Sequence, residues 1–138
     1  MSAYLIDTDL IVDILHDTEQ AVQTLLDLAP DGLAISLITY GELYEGAHYA
    51  RDPRQALGGL RAFLRGKEVL PLTTAIMERF AIIRGQLSRP QRQQIRDMDL
   101  LIAATALHHD LTLLTRNIRD FRLVPNLKRY GDKEGSSP

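Results

Sequence analysis

The 138 residues contain no cysteine and no tryptophan, and aromatics are limited to five Tyr and three Phe. Without Cys there is no disulfide framework, no thiolate metal site and no cysteine nucleophile, a composition that suits a reducing cytoplasm. The four histidines, at 16, 48, 108 and 109, speak against a zinc site, and the adjacent pair His108–His109 reads as structural or exposed. No apolar run approaches the ~20 residues of a bilayer-spanning helix. The opening "MSAYLIDTD" has neither a basic region nor a long apolar one, so no signal peptide and no membrane association are expected. Also missing is any Lys or Arg in residues 1–50.

That last absence exposes a polarity hidden by the net charge of −2. Residues 1–50 hold nine acids, whereas residues 51–138 hold all sixteen basic residues against nine acids, and thirteen of the sixteen are Arg. Arg forks match phosphate geometry. An acid-rich third joined to an Arg-rich remainder suits a polyanion held near an acidic, metal-loaded centre, although solvated helix faces explain the charges equally well.

The length fits one domain able to bury a core, over 1–130, with a disordered polar tail over 131–138. Apolar patterning predicts strands at Ala3–Ile6, Leu33–Ser36, Glu68–Leu72 (interrupted by Pro71) and Leu111–Thr115, with "VPNLKRY" as a last edge strand. Helices are predicted at Asp9–His16, Gln20–Leu28, Ile38–Ala50, Pro53–Arg65, Thr74–Leu87 and Asp99–Asp110, the fourth broken at Gly66. "PDG" at Pro30–Gly32 is turn chemistry, and "SRPQRQQIRD" reads as a polar, Arg-rich connector. Alternating strands and helices imply an α/β domain whose central sheet is mainly parallel, with helices on both faces. In such folds the site lies at the carboxyl ends of the strands.

Four blocks place polar groups at such ends. In "YLIDTDLIVDIL", Asp7 ends the first strand, Asp9 is the better helix cap, and Asp13 is a surface position. In "ISLITYGELYEG", Thr39 and Glu42 match a capping box, which would explain Glu42 without function. In "DMDLLIAATAL", Asp97 or Asp99 opens an apolar helix, where a carboxylate gains from the helix N-terminus. In "LLTRNIRDF", Thr115, Asn117 and Asp120 follow a buried strand, and a short capped helix would account for them. Separately each has an ordinary explanation. Together they bring three or four carboxylates or amides to one edge, where mutual repulsion and desolvation raise their pKa values. A hard cation such as Mg²⁺ or Mn²⁺, with its preference for oxygen ligands, resolves that repulsion.

These four blocks, in this order and in a chain this short, resemble the PIN-domain ribonucleases, and among them the VapC-type toxins of type II toxin–antitoxin pairs. The resemblance spans almost the whole chain. It implies a three-layer α/β/α domain with four to five strands, and metal-assisted hydrolysis of RNA phosphodiesters with Mg²⁺ or Mn²⁺. Asp7, Glu42 and Asp99 match the family's metal-holding acids. The fourth position, commonly acidic, falls on Asn117, acting directly or through water, with Asp120 close by. An amide there contributes no charge. Thr8, Asp9, Asp97, Thr115 and Asp120 would support the ligands from outside, and Arg89, Arg92, Arg96, Arg116 and Arg119 would steer RNA. A VapB-type antitoxin partner and a homodimer are implied in the same way. Two other readings exist. One is a PIN domain acting only as a binding module. The other is a haloacid-dehalogenase-like phosphatase using the D-x-D pair Asp7/Asp9, for which Ile11 stands where that family has Thr.

Overall fold

A computed structural model describes residues 2–131. Four short parallel strands form one sheet: β1 (Tyr4–Ile6), β2 (Leu33–Ser36), β3 (Glu68–Leu70) and β4 (Thr112–Leu114), in the order β3-β2-β1-β4. Helices α1 (Thr8–Leu15) and α2 (Glu19–Leu28) join β1 to β2. Helices α3 (Leu37–His48) and α4 (Pro53–Leu64) join β2 to β3. The β3 to β4 connection carries α5 (Thr74–Gln86), α6 (Arg89–Gln94) and α7 (Asp97–His108), and α8 (Ile118–Phe121) follows β4.

Strands β1, β2 and β4 are largely buried on both faces, as parallel strands under helices are, and only the edge strand β3 begins on an exposed residue, Glu68. Neighbouring residues therefore feed two separate cores. Leu5, Ala34 and Leu113 face a core built with Ile76, Ile83, Leu100 and Phe121, where α5 and α7 pack together. Ile6, Ile35 and Leu114 face the opposite core with Ile11, Leu43 and Leu60, beneath α1, α3 and α4. The result is the expected α/β/α sandwich, and every strand pairing in it is parallel.

Several expectations are corrected. The connector at 88–97 contains a helix, α6, opened by a full capping box: Ser88 Oγ accepts from Gln91 N while Gln91 Oε1 accepts from Ser88 N. Pro90 at the start of that helix fits a helical first turn rather than an irregular link. β3 stops at Leu70, one residue before the proline that cannot donate to the ladder. The fifth strand reduces to a single bridge, with Leu113 N donating to Lys128 O (2.8 Å) and Tyr130 N donating to Leu113 O (2.9 Å). The expected break of the fourth helix at Gly66 stands: α4 ends at Leu64, and Gly66 follows at φ +74°, a conformation that favours glycine. Of the expected tail only Gly131 falls within the described residues.

Strand order positions the site. The chain lays β2 and then β3 on one side of β1, and afterwards crosses over to place β4 on the other side. Connections therefore diverge between β1 and β4, which is where open parallel sheets form a crevice beyond their carboxyl ends. The residues just past those two ends are Asp7 and Thr115.

Candidate active site

Asp7 is 3 % exposed and occupies the N-cap of α1, the place that Asp9 was expected to take. Its Oδ1 accepts from Thr8 N at 2.9 Å and its Oδ2 accepts from the Thr115 hydroxyl at 2.7 Å. The Thr115 oxygen in turn accepts from Asn117 N at 2.9 Å. The backbone joins the same point, since Asp7 N donates to Leu114 O at 2.8 Å. Burial pushes the Asp7 carboxyl up from its usual 3.8 to about 7. The Thr115 hydrogen bond opposes that rise, and the charges of Asp99 and Asp9 add to it.

Glu42 is not the reciprocal half of a capping box. Ser36, at the end of β2, caps α3 by accepting from Thr39 N at 3.0 Å, which leaves the Glu42 carboxylate for other partners. Glu42 Oε1 accepts the Thr8 hydroxyl at 2.7 Å. A second contact, 3.1 Å, joins the Thr8 and Thr39 hydroxyls, and a third, 3.2 Å, joins Thr39 to Ser36. A hydroxyl carries one hydrogen and the carboxylate is the stronger acceptor. The chain Ser36 to Thr39 to Thr8 thus delivers its last hydrogen to Glu42. Ser36 and Thr39, both fully buried, are site residues that sequence reading missed. Their signal was a serine closing the apolar strand "LAIS" with a threonine three residues on.

Asp99 is 5 % exposed, in the first turn of α7. Neither Asp97 nor Asp99 caps that helix, because the N-cap position falls on Arg96. Arg96 turns back over Asp99 and Glu42. Its Nη2 donates to Asp99 Oδ1 at 2.9 Å, its Nε to Asp99 Oδ2 at 3.3 Å, and its Nη1 to Glu42 Oε2 at 3.4 Å. Burial raises the Asp99 pKa against the lowering effect of Arg96, while the charges of Glu42 and Asp9 raise it further. The N-termini of α1, α3 and α7 thus converge with three carboxylates, and the helix dipoles partly offset the crowded negative charge.

The remaining predicted residues are distributed differently. Asp97 pairs with Arg84 of α5 at 3.1 Å, tying the start of α7 to its neighbour. Asn117 caps α8: its Oδ1 accepts from Asp120 N and its Nδ2 donates to Asp120 Oδ2 at 3.0 Å. Asp120 also accepts from Gln94 Nε2 at 3.0 Å. Asn117 therefore reaches Asp7 only through its backbone N–H on Thr115. Asp9 is exposed and reaches the acids through its field alone. Of the arginines, Arg116 pairs with Asp13 at 2.7 Å and Arg92 donates to Leu87 O at 3.3 Å. Arg89 and Arg119 are exposed.

The donor set of Asp7, Glu42 and Asp99 is all oxygen and formally triply charged, which suits a hard divalent cation. Among the described residues no three Asp, Glu or His side chains close on one point as a finished cage. Two of the three acids close instead on the Arg96 guanidinium. One guanidinium leaves the three carboxylates net negative, so a further positive charge is what the cluster calls for.

A family model described as "PIN domain" matches residues 4–127. The chain belongs to the PIN-domain family. This PIN domain is 36 % identical over 129 residues to a protein named Ribonuclease VapC19 of Mycobacterium tuberculosis, covering 90 % of this chain and 96 % of that one. It is 27 % identical over 128 residues to the tRNA(fMet)-specific endonuclease VapC of Shigella flexneri, with 93 % and 96 % covered. In structure it matches a chain of DNA-bound VapBC from Salmonella typhimurium with a TM-score of 0.84, at 26 % identity, over 94 % of this PIN domain and 97 % of that chain. These similarities place it in the VapC branch. With them the phosphatase reading loses its footing, since the match absorbs all four blocks and Asp9 lies outside the hydrogen-bonded cluster.

Proposed function

We propose that this PIN domain is a divalent-metal-dependent endoribonuclease and the toxin half of a toxin–antitoxin pair. The observation that carries the proposal is the convergence of Asp7, Glu42 and Asp99 at the β1/β4 divergence, two of them buried and raised in pKa, in a domain similar over nearly its whole length to proteins named VapC ribonucleases. Asp7, Glu42 and Asp99 would hold Mg²⁺ or Mn²⁺. When bound, such a cation makes a nucleophilic water available near neutral pH and stabilises the charge of an in-line displacement at phosphorus. The chain's own part is positional. Thr8 and Thr115 fix the rotamers of Glu42 and Asp7, Asn117 fixes Thr115 through its N–H, and burial keeps bulk water from screening the acids. Arg89 and Arg119, both exposed, would meet RNA phosphates.

The antitoxin reading has its own support. A groove of ≈ 590 Å³ between α1, α3 and α4 has an apolar floor of Val12, Leu15, Leu43, Ala47 and Leu60 and includes Glu42. An amphipathic antitoxin segment lying there would end at the acids, consistent with structural neighbours that are VapBC complexes. No described helix is long and apolar enough to cross a membrane.

The test is cleavage of total cellular RNA by the antitoxin-free protein with Mg²⁺ or Mn²⁺ against EDTA, beside Asp7→Asn. Discrete fragments that need metal and vanish in the variant support the proposal. Intact RNA under every metal, together with retained capture of an antitoxin, would leave a binding module instead.

A further inference from the structure

Among the described residues Arg96 is the positive charge paired with the carboxylates of this site, and its geometry is unlike that of an ordinary surface pair. It engages both oxygens of Asp99 and one oxygen of Glu42, two of the three acids assigned to the cation. A guanidinium fork on a carboxylate is the strong, directional form of the interaction. At the same time the Arg96 side chain is 60 % exposed while that of Asp99 is 6 % exposed. The arm can therefore leave without opening a cavity, but the buried carboxylate it leaves behind must be compensated at once. Arg does not deprotonate in proteins, so only movement, and not neutralisation, can free the acids.

We infer that Arg96 is a tethered counter-ion that competes with the divalent cation. In the metal-free protein it sits on Glu42 and Asp99. Metal binding is then an exchange that releases the guanidinium to the rim, where it is available to an RNA phosphate. This inference rests on the metal-binding reading above and adds a role for a residue of this chain. It gives loading a built-in threshold: the apo site is partly compensated from within, and a cation that does not outcompete a bidentate arginine does not occupy it.

The experiment uses the full chain stripped with EDTA. Mn²⁺ affinity is measured from the EPR signal of free Mn²⁺ for the wild type, Arg96→Gln, Arg96→Lys and Arg116→Gln. The Arg96 Nε–H resonance of the wild type is followed by NMR through a Mg²⁺ titration. The expected result is Mn²⁺ binding at least ~3-fold tighter in R96Q, with R96K in between because it keeps the charge and loses the fork. R116Q, which removes an arginine paired to Asp13, stays within about twofold of the wild type, since a charge held elsewhere and screened by salt does not compete for the acids. The Arg96 resonance shifts as Mg²⁺ binds. Unchanged or weaker Mn²⁺ binding in R96Q overturns the inference and makes Arg96 a fixed structural partner. Equal tightening in R116Q overturns it by showing a general field effect. Mn²⁺ that binds none of the four proteins overturns the metal reading itself, an outcome distinct from the other two.

Discussion

The buried Asp7 predicts that the metal-free protein is destabilised by its own site. A rise in pKa from 3.8 to about 7, at ~1.4 kcal/mol per unit, means that holding Asp7 ionised in the fold costs about 4 kcal/mol. The sign follows from proton counts. Between those two values the folded state binds a proton that the unfolded state does not, so stability is complete below about pH 4 and is lost as pH rises through about 7. Asp7→Asn removes the charge and keeps the shape. Its amide oxygen can still accept from Thr8 N, but its NH₂ cannot accept the Thr115 hydroxyl, a loss of ~1 kcal/mol. The variant is therefore expected to be about 3 kcal/mol more stable than the wild type at pH 8.5 in EDTA, or on the order of 10 °C in Tm. At pH 4 it is expected to be equal or slightly less stable. Comparing the two proteins at each pH cancels the titrations they share. Saturating Mg²⁺ should then close most of that gap at pH 8.5. A cation at 100 times its Kd adds ~2.7 kcal/mol to the wild type and much less to a variant lacking one ligand. Thermal unfolding followed by circular dichroism at the two pH values, with EDTA and with Mg²⁺, measures all four quantities. A Tm difference that does not change with pH, or a variant less stable at pH 8.5 in EDTA, would refute the argument that desolvation of this carboxylate dominates its energy.

Four other outcomes are expected. Thr115→Val removes the 2.7 Å hydrogen bond that holds Asp7 down; Mn²⁺ affinity should fall ~10–100-fold, with the pH midpoint of RNA cleavage moved to the alkaline side. Glu42→Gln should lower RNA cleavage by ~100-fold or more at fixed metal while circular dichroism stays that of the wild type. Ser88→Ala breaks the capping box of α6 and should cost ~1 kcal/mol in urea titration; a cost near zero would count against a formed helix there. Ile76→Ala, at a position fully buried between α5 and the sheet, should cost ~2–5 kcal/mol with an unchanged denaturant slope.

Periodicity and end signals carried most of the element positions. "LAIS" and "LTLLT" are short apolar runs bounded by turn residues; the first is a strand throughout and the second holds one at Thr112–Leu114. The long apolar helix at 99–110 was legible because residues such as Leu100, Ile102 and Ala103 leave no polar stripe, as befits a helix buried nearly all round. The segment at 88–97 was misread because its polarity resembles a loop, while its helix rests on local chemistry, the Ser88–Gln91 reciprocal cap and the proline in its first turn. Glu42 shows the opposite difficulty. A valid capping pattern, T-x-x-E, lay one turn inside a helix already opened by Ser36, so a local rule supplied the wrong partner for a residue whose actual partners, Thr8 and Arg96, are 34 and 54 positions away.

Strand order is the part of the site that no local pattern contains. Asp7 could be recognised as the tip of β1 from "YLIDTD", but its neighbour across the crevice depends on which later strand lies beside β1. Had β3 taken that place, Asp7 would face the Leu70–Pro71 turn, a stretch with no hydroxyl at the strand tip and no N–H at residue 71. Because β4 takes it, Asp7 faces Thr115, whose hydroxyl partly offsets the cost of burying the acid. The same crossover carries α5, α6 and α7 to the far side of the sheet and so delivers Asp99 and Arg96 to an edge otherwise supplied by the acid-rich first third. The charge asymmetry of the chain thus acquires a spatial meaning. It does not divide an acidic centre from a basic surface, as composition suggested, because one arginine of the basic portion lies on the acids and Arg116 is held by Asp13. The positive charge available to a phosphate is accordingly smaller than the arginine count implies, and it increases when Arg96 is released.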